Sequence, residues 1–187
     1  PKLTYVEKFY KKSGRINPNN NCVIIAPSGI RGIPKLSMRD YFEKIISLLL
    51  KEKFKVIFRP HPSDRNSNEI LNIREKFKKN SNFILDFSSS YIKRYLSTSV
   101  MITDYSGTAY TYSMITLNPV VFFSFNEKYI YKLKYNKFDY FIDRKKVGLI
   151  SYNLKKIVKK TKLAIKNKKK YSLNISKIKN RFFFNSS

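Results

Sequence analysis

The sequence predicts an α/β protein built on a Rossmann-like, doubly wound parallel sheet. Five short apolar segments occur between residues 22 and 125, and segments with helical spacing of apolar residues separate them. The apolar segments are continuously apolar rather than alternating, which is typical of strands covered on both faces. This alternation of strands and helices with short loops favours parallel strands joined by right-handed crossovers.

The predicted elements alternate along the chain from residue 22. We predict strands at 22–27, 54–58, 82–87, 99–103 and 119–125. We predict helices at 37–53, 68–80, 89–98 and 106–116, with Ser37 as the N-cap of the first. The segment 106–116 is rich in β-branched residues, but a helix is expected there because the chain must cross back to the next strand.

Three parts of the chain are expected. Residues 1–21 are polar and turn-rich and form a connector, residues 22–150 form the Rossmann-like domain, and residues 151–187 form basic helices that pack on it. The tail places apolar residues on one helical face, at Leu154, Ile157, Val158, Thr161 and Ile165. A helix lying on an anionic membrane surface is the alternative to packing, but the apolar face lacks Trp and Phe.

The 187-residue chain is strongly basic, with 39 Lys and Arg residues against 12 acidic residues and a formal net charge of +27. Nucleic-acid binding, attraction to an anionic surface and a merely solvated surface all agree with this charge. The basic residues are spread along the whole chain, which favours the third interpretation. Cys22 is the only cysteine, which excludes an internal disulfide, and it is expected to be a buried thiol. The chain begins with Pro1 rather than Met, as expected for part of a longer protein.

Polar residues collect directly after four of the five predicted strands. Because the carboxyl ends of parallel strands meet at one edge of a sheet, these residues are expected to converge on one site. The candidate binding residues are Ser28, Gly29, Arg31, Arg59, His61, Asp104, Ser106, Gly107, Thr108 and Glu127. Loops are commonly polar, so the convergence at one edge is the informative observation.

His61 is the only histidine, and it stands in the rigid segment RPHP, residues 59–62. Pro60 and Pro62 restrict the backbone on both sides of the ring. An imidazole held at a strand end beside Arg59 suits a charge-assisted hydrogen bond to a phosphate oxygen. Since imidazole changes protonation state near neutral pH, His61 is also a candidate catalytic acid toward a phosphate leaving group.

The segment DYSGT, residues 104–108, predicts the start of a helix. Asp104 or Ser106 could simply cap that helix, but the same geometry also forms an anion site. No Asp-x-Asp pair follows a strand, so a divalent cation is not predicted. Ser106, His61 and Asp104 supply the residue types of a Ser–His–Asp hydrolase triad. The sequence lacks the G-x-S-x-G motif of α/β-hydrolases, so hydrolase chemistry is not predicted.

Four segments together resemble the carboxyl-terminal domain of the CDP-glycerol glycerophosphotransferases, the teichoic-acid-type polymerases and their relatives. The resemblance extends over roughly residues 1–140, as co-occurring motifs in one order. It is carried by IIAPSGIRG (24–32), VIFRPHP (56–62), VMITDYSGTAYTYSMITLNPVVFF (100–123) and NEKYIYKL (126–133).

The resemblance implies one half of a GT-B architecture, in which this chain binds the donor nucleotide and a missing amino-terminal half binds the acceptor and carries the catalytic base. It implies transfer of glycerol phosphate from CDP-glycerol to a hydroxyl of a polyol-phosphate or polysaccharide chain, with release of CMP. It further implies no metal and no other cofactor, and a place at the cytoplasmic face of the membrane. His61 corresponds to the histidine that contacts the donor diphosphate, and Asp104, Tyr105 and Ser106 correspond to the family's DYSS motif.

Two departures from the family pattern leave the donor open. The second serine of DYSS is Gly107 here, and a family aspartate falls at Thr111. Glu127 is the nearest acid that could bind ribose, with a surface role as its alternative. A GT-B glycosyltransferase that uses a nucleotide sugar in capsule or lipopolysaccharide synthesis is the second hypothesis. A basic nucleic-acid-binding module is the third, and it is disfavoured because the aromatic residues lie mostly in apolar runs.

Overall fold

The structure, a computed structural model, describes the backbone of residues 19–184 and the side chains of residues 19–180. A six-stranded, all-parallel sheet lies between two layers of helices. The strands are β1 (Asn19–Ile25), β2 (Lys55–Phe58), β3 (Phe83–Leu85), β4 (Thr98–Thr103), β5 (Val120–Phe123) and β6 (Gly148–Ser151). The α-helices are α1 (Phe42–Lys51), α2 (Asn68–Phe77), α3 (Ile92–Leu96), α4 (Thr108–Thr116), α5 (Glu127–Lys132), α6 (Asp139–Ile142), α7 (Arg144–Val147), α8 (Ile157–Lys166) and α9 (Lys168–Phe184). Short 3-10 helices occupy Arg39–Tyr41, Pro62–Asp64, Tyr135–Lys137 and Leu154–Lys156.

The strand order is β3-β2-β1-β4-β5-β6, which is the doubly wound order expected from the sequence. The chain moves outward from β1 through β2 to β3 and then returns to place β4 on the other side of β1. In register, Val23 lies opposite Val56 of β2, and Ile24 lies opposite Met101 of β4. The order therefore reverses between β1 and β4, and a crevice opens at the carboxyl ends of these strands.

Successive residues of β1 face opposite layers of the core. Val23 and Ile25 pack in the layer that contains Leu49 of α1, whereas Ile24 packs in the layer that contains Tyr112 of α4. The strands β2, β4 and β5 are covered on both faces in the same way, whereas β3 at the sheet edge is only partly buried. The continuous apolarity of the strands is explained by this double coverage.

Several element boundaries differ from the sequence-based predictions. The first helix begins at Phe42, after a 3-10 turn, rather than at Ser37. Ser37 is 1% exposed and its Oγ accepts a hydrogen bond from the Arg39 N–H, so it is not the N-cap of α1. The tail forms α8 and α9, which are separated only by Asn167. Of the predicted connector, residues 1–18 lie outside the described part of the chain, and residues 19–21 belong to β1.

The sixth strand, β6, was not predicted. It pairs with β5 from Gly148 opposite Val120 to Ser151 opposite Phe123. A Cβ atom at Gly148 would lie 1.8 Å from the Val120 carbonyl oxygen, so glycine alone allows the two strands to approach. The strand extends the parallel sheet to Ser151, where the basic tail begins.

The described part of the basic tail packs on the sheet. Ile157, Thr161 and Ala164 of α8 are buried, and Ile157 and Ala164 belong to the same core layer as Val23. Cys22 is buried as expected, and burial raises the pKa of its thiol. Within residues 19–184, every helix is too short or too polar to cross a membrane.

Candidate functional site

The carboxyl ends of β1, β2 and β4 enclose a small open pocket of about 100 Å³. It lies at the reversal of strand order, where ligands of open α/β sheets bind. The predicted convergence of Arg59, His61 and Ser106 on one pocket is confirmed; their ligand stays a prediction. The pocket is lined by Ala26, Pro27, Arg59, Pro60, His61, Pro62, Tyr95, Ser106 and Thr108.

His61 is held by the turn that follows it. Its backbone is extended, with φ −61° and ψ 139°, and it forms the N-cap of the 3-10 helix Pro62–Asp64. The imidazole Nδ1 accepts a hydrogen bond from the Ser63 N–H at 3.3 Å and lies 2.7 Å from Ser63 Oγ. Among the described residues, no group bonds to Nε2. This nitrogen is therefore available to a ligand.

The start of α4 forms the opposite wall of the pocket. The carbonyl of Ser106 accepts hydrogen bonds from the Ala109 N–H at 3.1 Å and from the Tyr140 hydroxyl at 3.0 Å. The Ser106 hydroxyl has no hydrogen-bond partner among the side chains of residues 19–180 and the backbone of residues 19–184. The first N–H groups of a helix also lack intrahelical partners, so this wall presents donors to an anion.

Tyr95 of α3 is a lining residue that the sequence analysis missed. Its hydroxyl forms a hydrogen bond with Thr108 Oγ1, and burial raises its pKa. This contact holds the first helical residue of α4 against α3. Thr108 thus lines the pocket as predicted, but its hydroxyl is engaged with the protein.

Arg59 contributes a positive charge that is largely balanced. Its guanidinium pairs with Asp86 and donates to the Ser88 carbonyl at 2.9 Å. Arg94 donates to the other Asp86 oxygen at 3.2 Å. Burial alone would raise the pKa of Asp86, but hydrogen bonds from Ser88 and Arg59 and both arginine charges outweigh it and lower the pKa. Arg59 is consequently a rigid wall of the pocket rather than a free phosphate clamp.

Asp104 anchors the loop that follows β1. The carboxylate is 3% exposed, and its Oδ1 accepts the N–H groups of Ser28 and Tyr105, both at 2.8 Å. Its Oδ2 accepts the Ser28 hydroxyl at 2.8 Å and the Met38 N–H at 3.1 Å. Burial raises the pKa of Asp104, and these hydrogen bonds oppose the rise. The predicted direct contacts of Asp104 and Ser28 with a ligand are therefore corrected, since their polar groups are already paired with each other.

The glycines after β1 let the loop approach its neighbours. A Cβ on Gly32 would lie 2.1 Å from the Tyr105 hydroxyl, which accepts the Ile33 N–H. A Cβ on Gly29 would lie 3.6 Å from the His61 ring, which is ordinary contact. Arg31 is exposed on this loop and does not line the pocket, so its predicted role stays a prediction.

Glu127 does not line the pocket in the described part of the chain. Its carboxylate pairs with Arg144 at 2.6 Å and accepts a hydrogen bond from Ser124. The Arg144 side chain is 4% exposed and lies over the Phe141 ring at 4.9 Å. The Glu127 carboxylate thus forms a partly buried ion pair that joins α5 to α7, and its predicted ribose contact stays a prediction.

A second pocket of about 230 Å³ adjoins the first. The two pockets share Arg59, Pro60 and Pro62. The second also contains Arg65, whose guanidinium lies 5.3 Å from the centre of the Phe87 ring. The groove therefore continues along the sheet edge toward β3.

Gly107, at the start of α4, is expected to accept serine. Its φ of −60° suits any residue, and a Cβ there would meet no atom within 4 Å. A serine also restricts the unfolded chain. We expect Gly107→Ser to change the free energy of unfolding by no more than about 1 kcal/mol, toward greater stability. Thermal unfolding measures this, and a loss above that size would contradict the open geometry.

Comparisons with known proteins agree with this fold. Residues 19–186 match the family described as CDP-glycerol:poly(glycerophosphate) glycerophosphotransferase. The minor teichoic acid biosynthesis protein GgaB of Bacillus subtilis (strain 168) is 28% identical over 162 residues, which is 80% of this chain and 17% of GgaB.

Solved structures show the same architecture. The wall teichoic acid polymerase TagF, in a structure with CDPG, matches with a TM-score of 0.57 and 20% identity over 97% of this chain and 41% of that chain. The C-terminal CMP-Kdo binding domain of WaaA from Acinetobacter baumannii matches with a TM-score of 0.53 and 12% identity over 94% of this chain and 96% of that domain.

The matched lengths and the shared fold establish how much of its relatives this chain covers and to which family it belongs. It spans less than a fifth of GgaB and about two fifths of TagF. Its fold is the Rossmann-like half of a GT-B-type structure, as in the TagF neighbours. The match to the family extends from the first described residue of β1 to beyond the end of α9. The chain belongs to the CDP-glycerol:poly(glycerophosphate) glycerophosphotransferase family of teichoic-acid-type transferases.

Proposed function

We propose that this chain is the donor-binding part of a transferase that moves glycerol phosphate, or a similar polyol phosphate, from a CDP-linked donor to a hydroxyl of a surface polymer. The observation that carries the proposal is the pocket between His61 and Ser106. Both side chains line it, and Nε2 and Oγ are without protein partners among the described residues. Together with the start of α4, they form a set of donors suited to phosphate oxygens.

The size of the groove supports a nucleotide diphosphate donor. The pocket of about 100 Å³ has room for phosphate groups but not for a whole nucleotide. The adjoining pocket of about 230 Å³ offers space for the rest of the donor on this half. A facing half, expected from the resemblance, would close the groove and bring the acceptor.

In the proposed reaction, the acceptor hydroxyl oxygen attacks the phosphorus that bears the glycerol and forms a new P–O bond. The bond from that phosphorus to the bridging oxygen breaks, and its electron pair leaves with CMP. His61 donates a hydrogen bond or a proton to the leaving phosphate. The proton of the acceptor hydroxyl goes to a base in the facing half. Metal independence stays a prediction. In it, the positive charge comes from His61, from the α4 dipole and from the net charge of the cluster that Arg59 and Arg94 form with Asp86.

The charge of the chain fits the proposed partners. A net charge of +27 favours a polyanionic acceptor and the anionic inner face of the cell membrane, where we place the complete enzyme. Nucleic acid is disfavoured, since aromatic side chains such as Phe58 and Phe122 are buried in the sheet instead of lying on a basic surface.

A donor screen by calorimetry tests the proposal. The chain is titrated with CDP-glycerol, CDP-ribitol, CDP, CMP and UDP-sugars, and CDP compounds are expected to bind most tightly. Ser106→Ala is expected to weaken CDP binding about threefold to tenfold, because one hydrogen bond to phosphate is lost. Ser81→Ala, at an exposed serine before β3, is the matched control and should bind like the unmodified chain. A preference for a UDP-sugar would instead support a nucleotide-sugar glycosyltransferase.

A further inference from the structure

Behind the His61 ring, two residues form a chain of hydrogen bonds leading away from the pocket. Nδ1 of His61 lies 2.7 Å from Ser63 Oγ, and Ser63 Oγ donates to Asp64 Oδ1 at 3.1 Å. An exposed imidazole otherwise rotates with little restraint about its terminal torsion. The bond to Ser63 selects one orientation of the ring.

Asp64 is the fixed end of this chain. It is 4% exposed, and its Oδ2 accepts the Ile30 N–H at 2.9 Å, which ties it to the loop after β1. Among the side chains of residues 19–180, Asp64 forms no ion pair with lysine or arginine. A buried carboxylate without a cationic partner is costly. Its position therefore suggests a task beyond packing.

We propose that Ser63 and Asp64 are positioning residues that keep a hydrogen on Nε2 of His61, directed at the phosphate of the donor. When the ring is neutral, the Ser63 hydroxyl turns to donate to Nδ1, which also accepts from the Ser63 N–H, so the proton resides on Nε2. When the ring is charged, Nδ1–H donates to Ser63 Oγ and the Ser63 hydroxyl donates to Asp64. In both states Nε2–H remains free to donate to a phosphate oxygen. The ligand in this inference rests on the proposed function, whereas the ring geometry does not.

The same contacts couple His61 to the loop after β1. Asp64 holds Ile30, and Gly29 lies against the imidazole, where an added Cβ would be 3.7 Å from Nδ1. The loop after β1, the hydrogen-bond chain through Ser63 and Asp64, and the His61 ring thus form one packed unit at the edge of the pocket. Displacement of Asp64 is expected to disturb the ring and the loop together.

The single histidine makes the test direct, because all imidazole nitrogen signals of the chain belong to His61. Nitrogen NMR of the ligand-free, ¹⁵N-labelled chain above neutral pH is expected to show the tautomer with hydrogen on Nε2. Ser63→Ala is expected to increase the Nδ1–H tautomer and to weaken CDP binding about threefold to tenfold. Ser63→Thr keeps the hydroxyl and is expected to restore both values. Ser81→Ala is the control for loss of a serine hydroxyl elsewhere.

Asp64→Asn is the second variant, with a similar loss of CDP affinity expected. If its amide oxygen accepts the Ile30 N–H, its NH2 group faces Ser63 Oγ, so the Ser63 hydroxyl loses its acceptor. Thermal unfolding shows whether this variant is folded. If it is not, the comparison of Ser63→Ala with Ser63→Thr decides whether the positioning role holds. An unchanged tautomer in Ser63→Ala, or a Ser63→Thr chain that behaves like Ser63→Ala, would overturn the positioning role. If His61→Ala binds CDP normally, the proposed function fails, yet the ligand-free tautomer measurement still judges Ser63 and Asp64.

Discussion

His61→Ala is expected to weaken CDP binding about 10- to 100-fold, the largest loss of affinity for any single substitution in this pocket. The ring lines the pocket with Nε2 free of protein partners, so its N–H donates to a phosphate oxygen at little cost in protein contacts. A hydrogen bond to a charged oxygen is stronger than one between neutral groups. In the complete transferase, loss of an acid toward the leaving CMP is expected to lower kcat by at least about 100-fold.

The measurement is calorimetry with CDP, together with thermal unfolding of the same variant. Because the ring is exposed, the unfolding temperature is expected to change little. His61→Gln supplies a shorter N–H donor and is expected to recover part of the affinity. Equal CDP binding by the unmodified chain and His61→Ala would refute the assignment of the pocket to the donor diphosphate.

Asp104→Ala is expected to lower the free energy of unfolding by about 3–5 kcal/mol. The carboxylate accepts four hydrogen bonds, from the Ser28 N–H and hydroxyl and from the N–H groups of Met38 and Tyr105. Alanine would leave these buried donors unpaired, and each unpaired donor costs about 1–3 kcal/mol before the loop relaxes. The loop after β1 would also detach from β4, so CDP binding is expected to fall as well.

Denaturant unfolding monitored by circular dichroism measures this effect. Asp40→Ala is the matched control. Asp40 is an exposed aspartate in the 3-10 helix Arg39–Tyr41, and it forms an ion pair with the neighbouring Arg39. Its effect is expected to stay within about 0.5 kcal/mol. If Asp104→Ala were as stable as Asp40→Ala, Asp104 would not be the anchor of the loop, and a direct role at the ligand would regain support.

Much of the fold could be predicted because hydrophobic patterning is a local signal. Continuous runs such as VII (23–25) and VIF (56–58) lie in strands covered on both faces, and the order of elements then limits the topology. The strand β6 escaped prediction because it has four residues, begins with Gly148 and follows two single-turn helices. Nothing in its sequence distinguishes an edge strand from a loop, since its identity depends on pairing with β5.

Part of the candidate site could also be predicted, because the topology of a parallel sheet determines which loops meet. Parallel strands bring their carboxyl ends to one edge, so the approach of His61 and Ser106 followed from topology alone. The sequence could not show that Asp104 would pair with Ser28, 76 residues earlier, and leave neither free for a ligand. It also gave no sign that Arg59 would be balanced by Asp86.

The amino-acid sequence by itself determined the class of fold, the sheet edge at which the candidate site lies and the rigid setting of the single histidine. Those features follow from hydrophobic periodicity, from the order of strands and helices along the chain and from proline geometry, all of which can be read from the sequence. The tertiary structure alone decided which polar groups remain open to a ligand and which are used to hold loops, as in the chain from His61 through Ser63 to Asp64. Hydrogen bonds between distant loops depend on positions within a few tenths of an ångström, and such positions emerge only when the whole sheet and its helices are assembled.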